Sequence, residues 1–191
     1  MRGNRQAIRR TMRQKRLALS EDYRFQTSLT TSQSISTAFW FRRSQHIAFY
    51  QAIGGEIDLS HLIQQAWKMQ KNCYLPVCHP FCDKTLLFLP YEPDDRLSEN
   101  RYGILEPNIN QHKACHPLKL DVVFIPLLAF DKYHNRLGSG KGYYDKTFAY
   151  LRHFSGRFRP MLVGLAYEFQ EVEKIPTEIW DIPMSKIIVV E

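Results

Sequence analysis

The sequence predicts one α/β domain, a largely parallel sheet with helices on both faces in three layers (α/β/α). Three observations predict it. Short apolar runs such as DVVFI and MLVGLAY lack the alternation of a half-solvated strand and suit strands buried on both faces. These runs alternate along the chain with segments of helical periodicity. The length of 191 residues, 44% of them hydrophobic, fits one domain with an ordinary core.

Residues 4–19 read as a helix, with Ile8, Met12 and Leu19 on one face. Ser20 offers an N-cap, with Glu21 and Asp22 in the following turn, for a second helix running through Phe39. HIAFY, residues 46–50, is a short strand, and Gly54-Gly55 breaks the chain after it. Asp58 can cap a helix to Lys71 whose buried stripe is Leu62, Ile63, Ala66 and Met69. Residues 72–77 and 85–91 are strands, whereas residues 92–118, polar and proline-rich, form a long irregular connection. The most apolar strand spans residues 121–125, and a glycine-rich stretch follows it. A helix over residues 143–153 and strands over 161–167 and 186–190 complete the chain.

Charge is concentrated at one end. The first twenty residues hold seven of the 26 basic residues and no acid, which leaves 19 basic against 19 acidic residues elsewhere. Such a helix can meet a nucleic acid, a membrane surface or a nucleotide phosphate, but most of its charges are expected simply to face water. No apolar run is long enough to span a bilayer and no secretory leader is evident, so a cytoplasmic protein is expected. The four cysteines, Cys73, Cys78, Cys82 and Cys115, contain no CxxC pair. The grouping of Cys78, His79 and Cys82 matches no standard zinc spacing.

The stretch FDKYHNRLGSGKGYYDK sets glycines at alternate positions, Gly138, Gly140 and Gly142, among Arg136, Lys141, Tyr143, Tyr144 and Asp145. It is not a P-loop, because Lys141 is followed by glycine and position 135 is Asn. Nor is it the dinucleotide fingerprint, because Tyr143 stands where the third glycine belongs. The underlying physics still applies. Glycines let the backbone approach a ligand, a loop opening a helix offers free N–H groups to an anion, and Lys141 and Arg136 add full charges. Asp145 is placed to hold a divalent cation bridging phosphates. The bland alternative is a tight turn whose charges face solvent.

AFDKYHNRLGSGKGYYDK resembles the signature of the 5-formyltetrahydrofolate cyclo-ligase family, close to FDxxGxRLGxGxGYYD. RQAIRRTMRQKRLALS is similar to the family's opening basic helix, GGEIDLSHLI to its acidic turn and EKIPTEIWDIPMSKIIV to its closing segment, in the same order along nearly the whole chain. One departure is visible: the family commonly carries glycine where His134-Asn135 stands. The resemblance implies ATP-dependent closure of 5-formyltetrahydrofolate to 5,10-methenyltetrahydrofolate, with Mg2+ as cofactor. It implies ATP contacts at Arg5, Arg9, Arg136, Leu137, Gly138, Ser139, Gly140, Lys141, Gly142, Tyr143 and Tyr144, with Lys141 and Arg136 as the catalytic charges. Folate contacts fall at Gln51, Glu56, Ser139, Gly140, Lys141, Gly142 and Tyr143, and Mg2+ at Asp145 and Asp181. A monomer acting on small molecules, with no nucleic acid or membrane partner, is expected. Two alternatives stay open: an RNA-binding relative without catalysis, and an ATP-dependent enzyme acting on another N-formyl compound.

Overall fold

The computed structural model describes residues 2–109, 113–153 and 160–190. Its centre is a six-stranded sheet of β1 (His46–Ala48), β2 (Asn72–Cys78), β3 (Leu86–Pro90), β6 (Val122–Pro126), β9 (Met161–Tyr167) and β10 (Lys186–Val190). The spatial order is β10-β9-β6-β1-β2-β3, and every pairing is parallel except β2 with β3. The apolar runs form strands because both their faces are covered. On β6, Val122 and Phe124 enter the core on one side of the sheet, and Val123 and Ile125 enter it on the other. Each such side chain contributes about 1.5–3 kcal/mol by leaving water.

Three helices cover the first face: α2 (Glu21–Thr37), α3 (Phe39–Arg43) and α4 (Ser60–Lys68), through Ile35, Phe41, Leu62, Ile63 and Ala66. Ser20 caps α2 by accepting the Tyr23 N–H at 3.2 Å. The expected single helix to Phe39 is interrupted, because Ala38 adopts an extended conformation (ψ 135°) between α2 and α3. Asp58 accepts the Ser60 N–H at 2.8 Å, though Leu59 occupies the N-cap position of α4. Met69 lies beyond α4 and is exposed, so the buried stripe ends at Ala66.

The second face is covered less regularly. The expected helix over residues 143–153 is α5 (Tyr143–Thr147) followed by a 3-10 turn (Ala149–His153), with Phe148 fully buried between them. Ile182 and Met184 complete that layer. The connection over residues 92–118 also holds structure the sequence did not suggest, an antiparallel hairpin of β4 (Leu97–Glu99) and β5 (Leu105–Pro107). Among the described residues no helix is long and apolar enough to cross a membrane.

The chain leaves β1 toward β2 on one side, then returns to lay β6 on the other. The two directions of winding diverge between β1 and β6, where α/β sheets commonly open a ligand crevice beyond the strands' carboxyl ends. The amino-terminal helix α1 (Arg2–Leu17) rests there on a small hairpin, β7 (Ala129–Phe130) with β8 (Arg136–Leu137), through Ile8, Met12, Leu128 and Leu137.

Asp131 shapes that hairpin. Fully buried, it accepts N–H groups from Tyr133, Asn135 and Ile175 at 3.0–3.1 Å and the Asn135 amide at 3.0 Å. His134, in the turn where the resembled family commonly has glycine, takes the left-handed conformation (φ 62°). Burial pushes the Asp131 carboxyl upward, but its four hydrogen bonds outweigh that and hold it below the ordinary value. Its stabilisation is therefore present above about pH 4 and fades as the pH falls through the folded-state value. Asp131→Ala should lower unfolding free energy by about 2–4 kcal/mol in urea titrations at pH 7, and Asp131→Asn should flatten the acid limb of stability against pH.

Candidate active site

A cavity of about 970 Å³ opens beyond the carboxyl ends of β1, β2 and β6. Of the sequence-predicted site residues, Arg5, Arg9, Gln51, Glu56, Arg136, 138–145 and Asp181 all line it. Leu137 is the exception: its side chain is fully buried beneath α1 with Met12 and Leu128 and does not face the cavity.

The three alternating glycines have different physical reasons. A Cβ on Gly138 would stand 2.9 Å from Arg136 Nη1. Gly140 has φ 99°, and a Cβ there would stand 3.2 Å from the Arg9 guanidinium carbon. Gly142 has open space but φ 75°, which makes it the left-handed lead into α5. The loop is thus threaded between two arginines, with its backbone against both.

The arginines come largely from α1. Arg5, Arg9, Arg13 and Arg16 fall at spacings of four, four and three, which sets them along one face beside the apolar pair Ile8 and Met12. Arg9 Nε donates to the Gly138 carbonyl at 2.9 Å and Arg13 Nη2 to the Ser139 carbonyl at 3.3 Å. Burial, then the neighbouring charges of Arg5 and Arg13, pull the Arg9 guanidinium below its ordinary value, with Asp181 opposing them. It remains charged at neutral pH. Among the described residues, the buried Nε atoms of Arg5 and Arg136 meet no hydrogen-bond partner. Crowded like charges and buried donors of this kind favour a polyanion in the cavity. The expectation that most of the helix charges face water fails at Arg16, only 5% exposed.

Two carboxylates lie on the same wall. Asp145 Oδ1 accepts from Arg136 Nη2 at 2.7 Å and from the Ile182 N–H at 3.2 Å. Asp181 takes Arg5 as a fork, at 2.9 and 3.3 Å, and the Glu178 N–H at 2.8 Å. Folding therefore joins residues 36 positions apart through the single peptide between Asp181 and Ile182. Among the described residues no group of three or more His, Cys, Asp or Glu is arranged to hold a metal. Two carboxylates alone still suit Mg2+, which typically takes one or two of them and completes its shell with substrate phosphate and water.

At the far end of the α1 face, beside Arg16, Glu56 lies in the turn after β1 and lines the cavity. Burial pushes its carboxyl upward, while Arg16 at 3.4 Å and the Ile53 N–H at 3.2 Å pull it back. Gln51 and Tyr50 stand beside it, and the Tyr50 hydroxyl donates to the Ile57 carbonyl at 2.9 Å. Sequence reasoning missed the β4–β5 hairpin and so missed Tyr102. Its ring carries Lys141 Nζ 3.1 Å from the centroid, and its hydroxyl lies 3.0 Å from that of Tyr143. Arg13 and Arg16 were legible as a continuation of the Arg5–Arg9 face. The cysteines are free, and His79 accepts N–H groups from Phe81 and Cys82 as a turn cap.

Fold and cleft define an α/β enzyme with a strongly basic crevice at its topological switch point. The sequence model of the 5-formyltetrahydrofolate cyclo-ligase family matches residues 1–190. A 5-formyltetrahydrofolate cyclo-ligase of Haemophilus influenzae is 43% identical over 185 residues, 97% of each chain. One of Escherichia coli K12 is 37% identical over 93% of this chain and 95% of its own. The solved structure of Aquifex aeolicus 5,10-methenyltetrahydrofolate synthetase superposes with a TM-score of 0.80 at 31% identity, covering 97% of this chain and 89% of that one. The chain belongs to the 5-formyltetrahydrofolate cyclo-ligase family.

Because Gly140 is constrained by both conformation and space, and Gly142 by conformation alone, Gly140→Ala should weaken inorganic triphosphate binding more than Gly142→Ala. Calorimetric titration of the two variants checks the order, with the left-handed strain alone worth about 1–2 kcal/mol.

Proposed function

We propose that the protein closes 5-formyltetrahydrofolate to 5,10-methenyltetrahydrofolate, using ATP with Mg2+ and releasing ADP and phosphate. The observation that carries this reading is the meeting of the α1 arginines with the glycine loop in a cavity that Glu56 also lines. A formyl amide oxygen is a poor leaving group and phosphate a good one. In the proposed sequence the formyl oxygen attacks the γ-phosphorus, expelling ADP, and N10 then attacks the activated carbon. Phosphate departs as the ring closes, and loss of the proton from N10 balances the step.

The chain's own part is positioning and charge neutralisation. Arg5 and Arg9 would grip the polyphosphate from α1, and backbone N–H groups of the glycine loop would meet it from the other element. Lys141, on a long flexible stem, follows the phosphoryl group as it moves, and Arg136 fixes the opposite side. Asp145 and Asp181 would hold Mg2+, which when bound neutralises phosphate charge. Glu56 accepts the pterin's paired N–H groups, with Gln51 beside it. The RNA-binding alternative is weakened because Arg5, Arg9 and Arg16 are committed inward, to Asp181, Gly138 and Gly54. A cytoplasmic monomer acting on small molecules fits this reading.

Purified protein mixed with 5-formyltetrahydrofolate, ATP and Mg2+ should generate the near-ultraviolet absorbance of the methenyl product, and no absorbance rise would sink the proposal. Lys141→Met should reduce kcat by about 10²–10³ with an unchanged melting temperature. Arg9→Ala should act mainly by raising KM for ATP, and Asp145→Asn should weaken the dependence of rate on Mg2+.

A further inference from the structure

Arg16 closes the last turn of α1, and its side chain reaches partners far away in sequence. Its Nε donates to the Gly54 carbonyl at 2.8 Å, Nη2 to the Ile53 carbonyl at 3.4 Å, and Nη1 to the Leu127 carbonyl at 3.4 Å. Nη1 also stands 3.4 Å from Glu56 Oε1, in a pair whose side chains are 6% and 14% exposed. The other Glu56 oxygen accepts the Ile53 N–H, so both oxygens are fixed, one by a side chain and one by backbone. Gly55 is part of this contact: a Cβ there would lie 2.8 Å from the Arg16 carbonyl oxygen, and its φ is 78°. Only glycine lets the turn bearing Glu56 press against the end of α1.

We infer that Arg16 is a positioning residue for folate recognition, holding the Glu56 carboxylate ionised and aimed into the cleft from the amino-terminal helix. The inference rests on the pterin role proposed for Glu56. Burial works against the charge on Glu56, and the polar neighbours facing it from other elements are the hydroxyls of Tyr50, after β1, and Tyr144, on α5. Burial pushes both hydroxyls upward, so they stay neutral and supply no charge at physiological pH. Arg16 is the cation that offsets the burial of Glu56. A pterin offering paired N–H donors needs an acceptor at that place. A protonated or rotated carboxyl would present a donor, or nothing, and the cost would fall on folate binding alone. Lysine at this position would keep the charge but lose the planar fork that spans three carbonyls and a carboxylate.

The test is steady-state kinetics of Arg16→Met, Arg16→Lys, Glu56→Gln and the Arg16→Met/Glu56→Gln double variant, from about pH 5.5 to 8.5, across a raised carboxyl range. Arg16→Met should raise KM for 5-formyltetrahydrofolate at pH 6 by about tenfold or more, with KM for ATP nearly unmoved. The defect should shrink as pH rises and Glu56 regains its charge. Arg16→Lys should fall between Arg16→Met and the wild type, and the double variant should bind folate no worse than Glu56→Gln alone. Additive losses in the double variant, a pH-independent defect, or equal changes in both KM values would overturn the inference. Should Arg16→Met fail to fold, Arg16→Lys carries the same pH readout, and a profile superimposable on the wild type overturns it. A Glu56→Gln enzyme with ordinary folate KM would instead remove the pterin role itself, and the inference with it.

Discussion

The seating of α1 on the β7–β8 hairpin, through Ile8 and Met12 against Leu128 and Leu137, is the contact on which the rest of the cleft depends. An amphipathic helix at a chain terminus has no intrinsic reason to form one wall of a crevice. It does so here because that apolar pair docks it, and Arg16 at its far end then reaches the turn after β1 and the loop after β6, the two segments that flank the switch point. A buried charge must be fully partnered, and removing one side of such an arrangement typically costs about 3–5 kcal/mol. With the helix docked by Ile8 and Met12, helical spacing fixes where Arg13, Arg9 and Arg5 emerge. All three are carried along the same face to the glycine loop and to Asp181.

The cleft is therefore built from charges that hold one another in place. Arg5 is held by Asp181, Arg136 by Asp145, and Arg16 by Glu56. Each carboxylate so paired is also a group that the proposed chemistry needs, for a divalent cation or for a pterin. The Arg5–Asp181 and Arg136–Asp145 pairs would be exchanged for ligand contacts on binding, whereas the Arg16–Glu56 pair would stay, with little reorganisation of backbone. The glycine loop fits this economy of space, since two of its three glycines exist because an arginine lies where a side chain would be.

Much of this was legible in the sequence, and the gaps have physical causes. Strands such as β6 and β9 were plain because burial on both faces demands continuous apolar runs. The break at Ala38 was not, because neither glycine nor proline marks it and only the packing of Phe41 under the sheet shows why the chain turns. The helix after the glycine loop stops at Thr147 because Phe148 is drawn into the core, a tertiary demand that outweighs local propensity. The β4–β5 hairpin hides in polar sequence, and with it Tyr102 beneath Lys141. Asp145 was legible from its place just past the glycine loop, but Asp181 was named only through the family resemblance, since nothing local to either residue signals the other. Arg16, in contrast, was available to helical periodicity, and its burial runs against the expectation that basic helix residues face water.

The most direct test of the central claim is a crystal structure with a non-hydrolysable ATP analogue and 5-formyltetrahydrofolate bound together. The terminal phosphate should sit against the backbone of 138–142, within hydrogen-bonding reach of Arg9, with the formyl oxygen facing it and the pterin on Glu56. A nucleotide seated elsewhere, with the loop and the α1 arginines still bonded only to each other, would contradict it.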